Sequence, residues 1–217
     1  KIQGDGKFVR LAILDSGLPN HNSIKTDYDK SKNFTLSGSV YDVHGHATAV
    51  TGIIGANNPK NLVGLATSVD FYFAKILQDT DQNNRLQDVV DALLWCIVRD
   101  VDIVLMSFGT QNDYKPLQDA VKKVYDHGIS MIAAGGNHNT KTRDTDFPAR
   151  YNEVFSVGYD ASVNKNISIK KGNDYKGIVM PKQTYATTYL DSQYIDMQGS
   201  SINAAAVAGL AVLVYGD

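Results

Sequence analysis

One pattern runs along the chain: a short, mostly apolar run, then a segment with helical spacing. The apolar runs are Phe8–Leu14 (FVRLAIL), Val69–Leu77, Asp102–Ser107 (DIVLMS), Ile129–Ala134 (ISMIAA) and Val154–Gly158. Between them lie a small-residue helix over Ala47–Ala56 and a helix over Leu86–Val98, with Leu86, Val89, Val90, Leu93, Leu94 and Ile97 on one face. An amphipathic helix spans Tyr114–His127 and is closed by Gly128; the last helix covers Ala204–Val214. Strands that are apolar on both faces, each followed by a helix, predict an α/β fold: a doubly wound, mostly parallel β-sheet with helices on both faces. In such sheets, sites gather at the C-terminal ends of the strands. Asp15, Ser107-Phe108-Gly109 and Gly135-Gly136-Asn137 all follow predicted strands. The polar stretch Ala161–Leu190, rich in Lys, Asn, Thr and Tyr, reads as surface hairpins and loops.

Composition narrows the function classes. The 217 residues suit one domain with a real core, and 43% hydrophobic with 20% charged residues is ordinary for a globular protein. A net charge of -2 argues against nucleic acid as the main partner, because phosphate binding needs a basic surface. No apolar run is long enough to span a bilayer. The single cysteine, Cys96, excludes an internal disulfide and sits in an apolar helical run as a core residue, as does Trp95. The chain begins Lys1-Ile2 without Met or a visible signal peptide, as a processed or trimmed form would.

A serine hydroxyl becomes a nucleophile only beside a base that a carboxylate orients, and acyl transfer also needs donors aimed at the oxyanion. The candidate acid is Asp15 in LAILDSG, where a turn-capping role is the alternative. The candidate base is His46 in DVHGHATAV, with His44 as its rival. The candidate nucleophile is Ser201 in QGSSINAAAVAG, at a helix start where the backbone favours negative charge; Ser200 competes, as does a simple N-cap role. Asn137, in AAGGN, is the candidate oxyanion donor or a turn asparagine.

Taken together these segments resemble the subtilisin-like serine proteases. LAILDSG is similar to the family's Asp motif, GHATAVTGIIGA to GHGTxVAGIIGA, MSFG to MSLG, AAGGN to AAAGN, and GSSINAAAVAG to GTSMATPHVAG. The resemblance runs in the family's order from Phe8 to Leu213, and FAKIL and FPARYNEVFSVG match family-typical segments. It implies a serine endopeptidase domain over 1–217 with a short N-terminal arm, either trimmed at its C-terminus or compact. Ungapped matching puts His46 rather than His44, and Ser201 rather than Ser200, in the catalytic places. It implies Ser201 as nucleophile, His46 as base and acid, Asp15 as its orienter, and Asn137 with the Ser201 N–H as oxyanion donors.

The resemblance also implies that Ser107-Phe108-Gly109 pairs with an extended peptide substrate, so that specificity comes from pockets. The residue before the aromatic-Pro pair, Asp146 here, falls at the base of S1. A carboxylate there favours Lys or Arg at P1 unless Arg143 neutralises it, which would suit precursor or leader-peptide processing. Asp79 and Asp81 are further acidic candidates for the P2 or P4 sites, or a solvated loop. Departures from the family pattern include Ala47, Asn203, Ala204 and Ala205, and a loop at Asn57–Leu62 shorter than the calcium loop of secreted subtilisins. The chemistry requires no cofactor, and a structural calcium is left open. No spacing supports a metal site at His21, His44 and His138. The expectation is a monomer, secreted or at the cell surface after processing in preference to cytoplasmic. Two other readings are a peptide-binding relative that does not cut, and a transpeptidase or macrocyclase.

Overall fold

The computed structural model describes residues 4–80, 84–137, 145–160, 168–172 and 175–216. Its elements are β1 (Arg10–Asp15), β2 (Ser31–Asn33), α1 (His46–Gly55), β3 (Asn57–Asn58), β4 (Leu62–Val63), β5 (Asp70–Lys75), α2 (Leu86–Val98), β6 (Ile103–Met106), α3 (Lys115–Asp126), β7 (Ser130–Ala134), β8 (Phe155–Asp160), β9 (Ser168–Gly172), β10 (Tyr175–Pro181), β11 (Tyr185–Thr188), β12 (Tyr194–Met197) and α4 (Ser200–Tyr215). An eight-stranded sheet runs β2-β5-β1-β6-β7-β8-β10-β9. All its neighbours are parallel except β10 and β9.

Each central strand divides its side chains between two cores. Leu11, Ile13, Ile103 and Leu105 face α1 and α4. Ala12, Leu14, Val104 and Met106 face α2 and α3, where Trp95 and Cys96 are also buried. This period of two explains the apolar runs: neither face of the sheet meets water. Burial also pushes the Cys96 thiol well above its ordinary pKa, which leaves it inert.

The helices differ by face. α3 buries one stripe, Leu117, Ala120, Val121 and Val124, and keeps its charges outside. α1 is buried on every side from Ala47 to Gly55. Its small residues permit this: a Cβ on Gly52 would lie 2.2 Å from the Thr188 hydroxyl oxygen.

The stretch from Ala161 to Leu190 departs from the surface hairpins expected of it. β9 and β10 do form a hairpin, but β10 extends the main sheet parallel to β8. Val179 and Met180 are buried there. Part of the polar stretch, β9, forms the edge strand of the sheet. β2 was also absent from the sequence reading, because three polar residues (SKN) carry no strand signal; its pairing with β5 makes it a strand.

The chain leaves β1 toward β2 and β5 on one side, then returns to build β6, β7 and β8 on the other. The order therefore reverses at β1 and β6, and the crevice at their C-terminal ends is where a parallel sheet offers a site. Among the described residues, no helix is long and apolar enough to cross a membrane.

Candidate active site

Asp15 ends β1 at that reversal and is 1% exposed. Its carboxylate accepts the Ser16 N–H at 2.7 Å and meets His46 Nδ1 through both oxygens, at 2.8 and 2.9 Å. His46 is the first residue of α1, and its side chain remains 30% exposed. The Asp15 charge raises the imidazole pKa to about 8, burial opposes it, and the Asp15 hydrogen bond and the Asp42 charge add to the rise. With Nδ1–H directed at Asp15, Nε2 is the nitrogen left to exchange a proton.

Asp42 was missed in the sequence reading. It is buried, and it accepts hydrogen bonds from Ser16 Oγ, His44 N–H, Gly45 N–H, Thr48 N–H and Thr48 Oγ1. This carboxylate caps α1, and through Ser16 it ties that helix to the residue after Asp15. Ser16 Oγ completes the tie by accepting the Ala47 N–H at 2.9 Å. An acid a few residues ahead of a helix is a legible N-terminal signal; its reach to Ser16 is not.

The rival histidine goes elsewhere. His44 Nε2 lies 2.7 Å from the Gln78 carbonyl, which as an acceptor requires the proton on that nitrogen. Ser200 is 2% exposed, and its N–H donates to Asn137 Oδ1 at 2.6 Å.

The first turn of α4 prepares the other half of the site. Its first helical bond runs from Asn203 N–H to the Gly199 carbonyl, so the Ser201 N–H has no acceptor inside the helix. The Asn137 side chain is held by Ser200, which takes up its oxygen and leaves its NH2 as a donor. The Ser201 hydroxyl donates to the Ser107 carbonyl at 2.7 Å rather than to His46, and Ser107 Oγ returns a bond to the Ser201 carbonyl at 3.2 Å. The segment after β6 is thus joined to the first turn of α4. Asn203 is fully buried, with both side-chain polar atoms unpartnered among the described residues.

Asp146 lies beside the loops that follow β6 and β7. Its N–H donates to the Gly135 carbonyl at 3.3 Å, and a Cβ on Gly109 would lie 2.7 Å from its own Cβ. Its carboxylate also accepts Gln111 Nε2. Phe147 pairs with Thr110 as an antiparallel bridge, which fixes this corner.

Asp79, in the loop after β5 with its side chain 34% exposed, is an ion-pair partner of Lys75, which is fully buried at the end of that strand. Lys75 also donates to the Tyr41 carbonyl. A charge already paired at short range gives little attraction to a basic substrate. Asp81, His138 and Arg143 lie outside the described residues. Among the described residues, no group of three or more His, Cys, Asp or Glu could hold a metal ion. The Asn57–Leu62 loop has no carboxylate, and its Asn58 and Asn61 amide nitrogens donate to the Tyr194 hydroxyl oxygen.

Comparison with known proteins places this geometry. The Subtilase family matches residues 6–216. The chain is 33% identical over 197 residues to "Minor extracellular protease Epr" of Bacillus subtilis (strain 168), covering 90% of this chain and 30% of that protein. It is 29% identical over 220 residues to "Major intracellular serine protease" of the same organism, covering 96% of this chain and 69% of that one. The solved structure of "S41 Psychrophilic Protease" superposes with a TM-score of 0.78 at 22% identity, over 97% of this chain and 78% of that chain, which shows a shared fold. The chain thus spans from under a third to just over two thirds of these relatives' lengths. The family match over nearly every residue shows that this chain belongs to the subtilase family.

Proposed function

We propose that this chain hydrolyses peptide bonds with Asp15, His46 and Ser201, and that it prefers Lys or Arg at P1. The observation that carries the reading is the hydrogen bond between buried Asp15 and His46 Nδ1 at 2.8 Å, which fixes the tautomer a general base needs. Ser201 Oγ turns from the Ser107 carbonyl toward His46 Nε2, gives up its proton and attacks the scissile carbonyl. The carbonyl oxygen, now negative, takes hydrogen bonds from the Asn137 amide and the Ser201 N–H; one such donor contributes about 3 kcal/mol. His46 then protonates the leaving amine, and water repeats the sequence to release the acid.

The substrate lies extended along Ser107, Phe108 and Gly109. The P1 preference is supported by Asp146, whose carboxylate lies against Gly109 in the loop after β6 and whose N–H donates to the Gly135 carbonyl after β7. A basic P1 suits precursor or leader-peptide processing. Relatives named as extracellular and as intracellular leave either location compatible.

The test is a peptide panel that varies only P1, cut by wild type and by Ser201→Ala. Cleavage by wild type alone, fastest after Lys or Arg, is the expected result. Equal rates after Phe or Leu would remove the role given to Asp146. A second reading, a relative that holds peptides without cutting, is favoured by the Ser201 hydroxyl resting on Ser107. A fluorophosphonate probe separates the two, since only an activated serine labels.

A further inference from the structure

The hairpin of β11 and β12 bonds to α1, which bears His46, and to the loop that follows Asp15, and it leads into α4, which bears Ser201. At the turn end of β11, Thr187 and Thr188 are fully buried, and their hydroxyls donate to the Ala49 and Thr48 carbonyls of α1 at 2.5 and 2.7 Å. Gly52 has no side chain, which permits that approach. Next, the Tyr189 hydroxyl donates to the His44 carbonyl at 3.1 Å. The Tyr189 ring covers Gly45, where a Cβ would lie 2.3 Å from ring carbon Cε2. Gly45 has φ +83° and immediately precedes His46, so its left-handed turn sets the direction in which α1 presents the imidazole.

The tip is strained and anchored. Asp191 and Ser192 both adopt positive φ, 54° and 56°, without being glycine, at a cost of about 1 kcal/mol or more each. His21, six residues beyond Asp15, donates Nε2–H to the Gln193 carbonyl at 3.0 Å and accepts the Ser23 N–H on Nδ1. The Ser23 hydroxyl lies 2.6 Å from the Tyr194 hydroxyl, and Asn58 and Asn61 also donate to that oxygen. Beyond β12, the chain passes through Gly199 directly into α4 and Ser201. Besides the packing of Tyr185 and Met197 on the core, this hairpin meets α1 through hydroxyls aimed at backbone carbonyls, a directional contact that fixes orientation.

We propose that this hairpin is a clip that sets the relative placement of the catalytic segments, with Tyr189 as the positioning residue for His46. The proposal rests on the triad reading above. Tyr189 touches no reacting atom; it acts through the backbone of His44 and Gly45.

The experiment compares Tyr189→Phe and Tyr189→Ala with wild type in kcat, KM, the pH profile of kcat/KM and thermal midpoint. Tyr189→Phe keeps the ring over Gly45 and loses one hydrogen bond. Its kcat falls about threefold to tenfold, the scale of one such bond, with KM within about twofold and the thermal midpoint nearly unchanged. Tyr189→Ala uncovers Gly45 and lowers kcat by about 100-fold, the scale of a misplaced catalytic group. In both, the midpoint of the pH profile moves below wild type, because a loosened imidazole loses part of its pairing with Asp15. An unchanged kcat and pH midpoint in Tyr189→Phe overturns the proposal, as does a kcat loss that follows only the loss of folded protein. If Tyr189→Ala does not fold, Tyr189→Phe decides alone. Ser201→Ala, run in parallel, keeps the two readings apart: activity surviving in it refutes the triad assignment, whatever Tyr189 does.

Discussion

The two halves of the site are built differently. The acid–base half is closed: Asp15 is buried, His46 is held through both carboxylate oxygens, and Asp42 binds the start of α1 to Ser16. The nucleophile half is assembled but not engaged: Ser201 is partly exposed and its hydroxyl rests on the Ser107 carbonyl. The difference follows from what each half must do. In the proposed mechanism the tautomer of His46 has to be correct before substrate arrives, and its partner is fixed in the ground state. In that mechanism the Ser201–His46 bond is needed only as the scissile carbonyl comes within reach, and such bonds are often unformed without substrate.

The largest expected effect breaks the open half. Ser201→Ala lowers kcat by about 10⁶-fold and abolishes fluorophosphonate labelling, with peptide binding retained. Labelling that persists in this variant would move the nucleophile to another residue. Asp15→Asn attacks the closed half and lowers kcat by about 10⁴-fold, since the imidazole is no longer held in the productive tautomer. The same change removes the main cause of the raised His46 pKa, so residual activity should titrate at lower pH than that of wild type. A midpoint that stays in place would show that Asp15 does not set it.

Asn137→Ala sharpens the comparison from the open side, with kcat falling about 10²- to 10³-fold and KM little changed. A change confined to KM would make Asn137 a binding residue instead. The smallest effect concerns stability. The His46 pKa is raised in the folded state, from 6.5 to about 8, so protonated His46 stabilises the fold. That contribution is complete below pH 6.5 and is lost as pH rises through about 8. Denaturant titrations of wild type and Asp15→Asn should therefore diverge most at the acid end of this window and converge above it. Curves that stay parallel across it would mean that the pair contributes nothing to folding.

Much of this was legible in the chain. A run such as DIVLMS can be buried on both faces only inside a helix-covered parallel sheet, and a strand ending in Asp-Ser-Gly places its acid at the sheet's crevice. These signals are local, carried by periodicity and by turns within a few residues. The choice between His44 and His46 was not available from the residues alone: both stand close to the start of the same helix, and only the resemblance separated them. In the structure their difference is one of partners, Gln78 for one and Asp15 for the other.

The sequence by itself determined the layers, the order of the chemistry-bearing segments and the small-residue character of α1 and α4. The tertiary structure alone decided which polar groups meet. Lys75 reads as one more strand residue, yet it is buried against Asp79 and the Tyr41 carbonyl. Asp42 reaches Ser16 across 26 positions, and Tyr189 reaches His44 across 145. Apolar burial is additive and non-directional, so composition and period reveal it. A hydrogen bond between distant segments depends on where both chains have been brought and how each is turned, and the folded arrangement supplies that information.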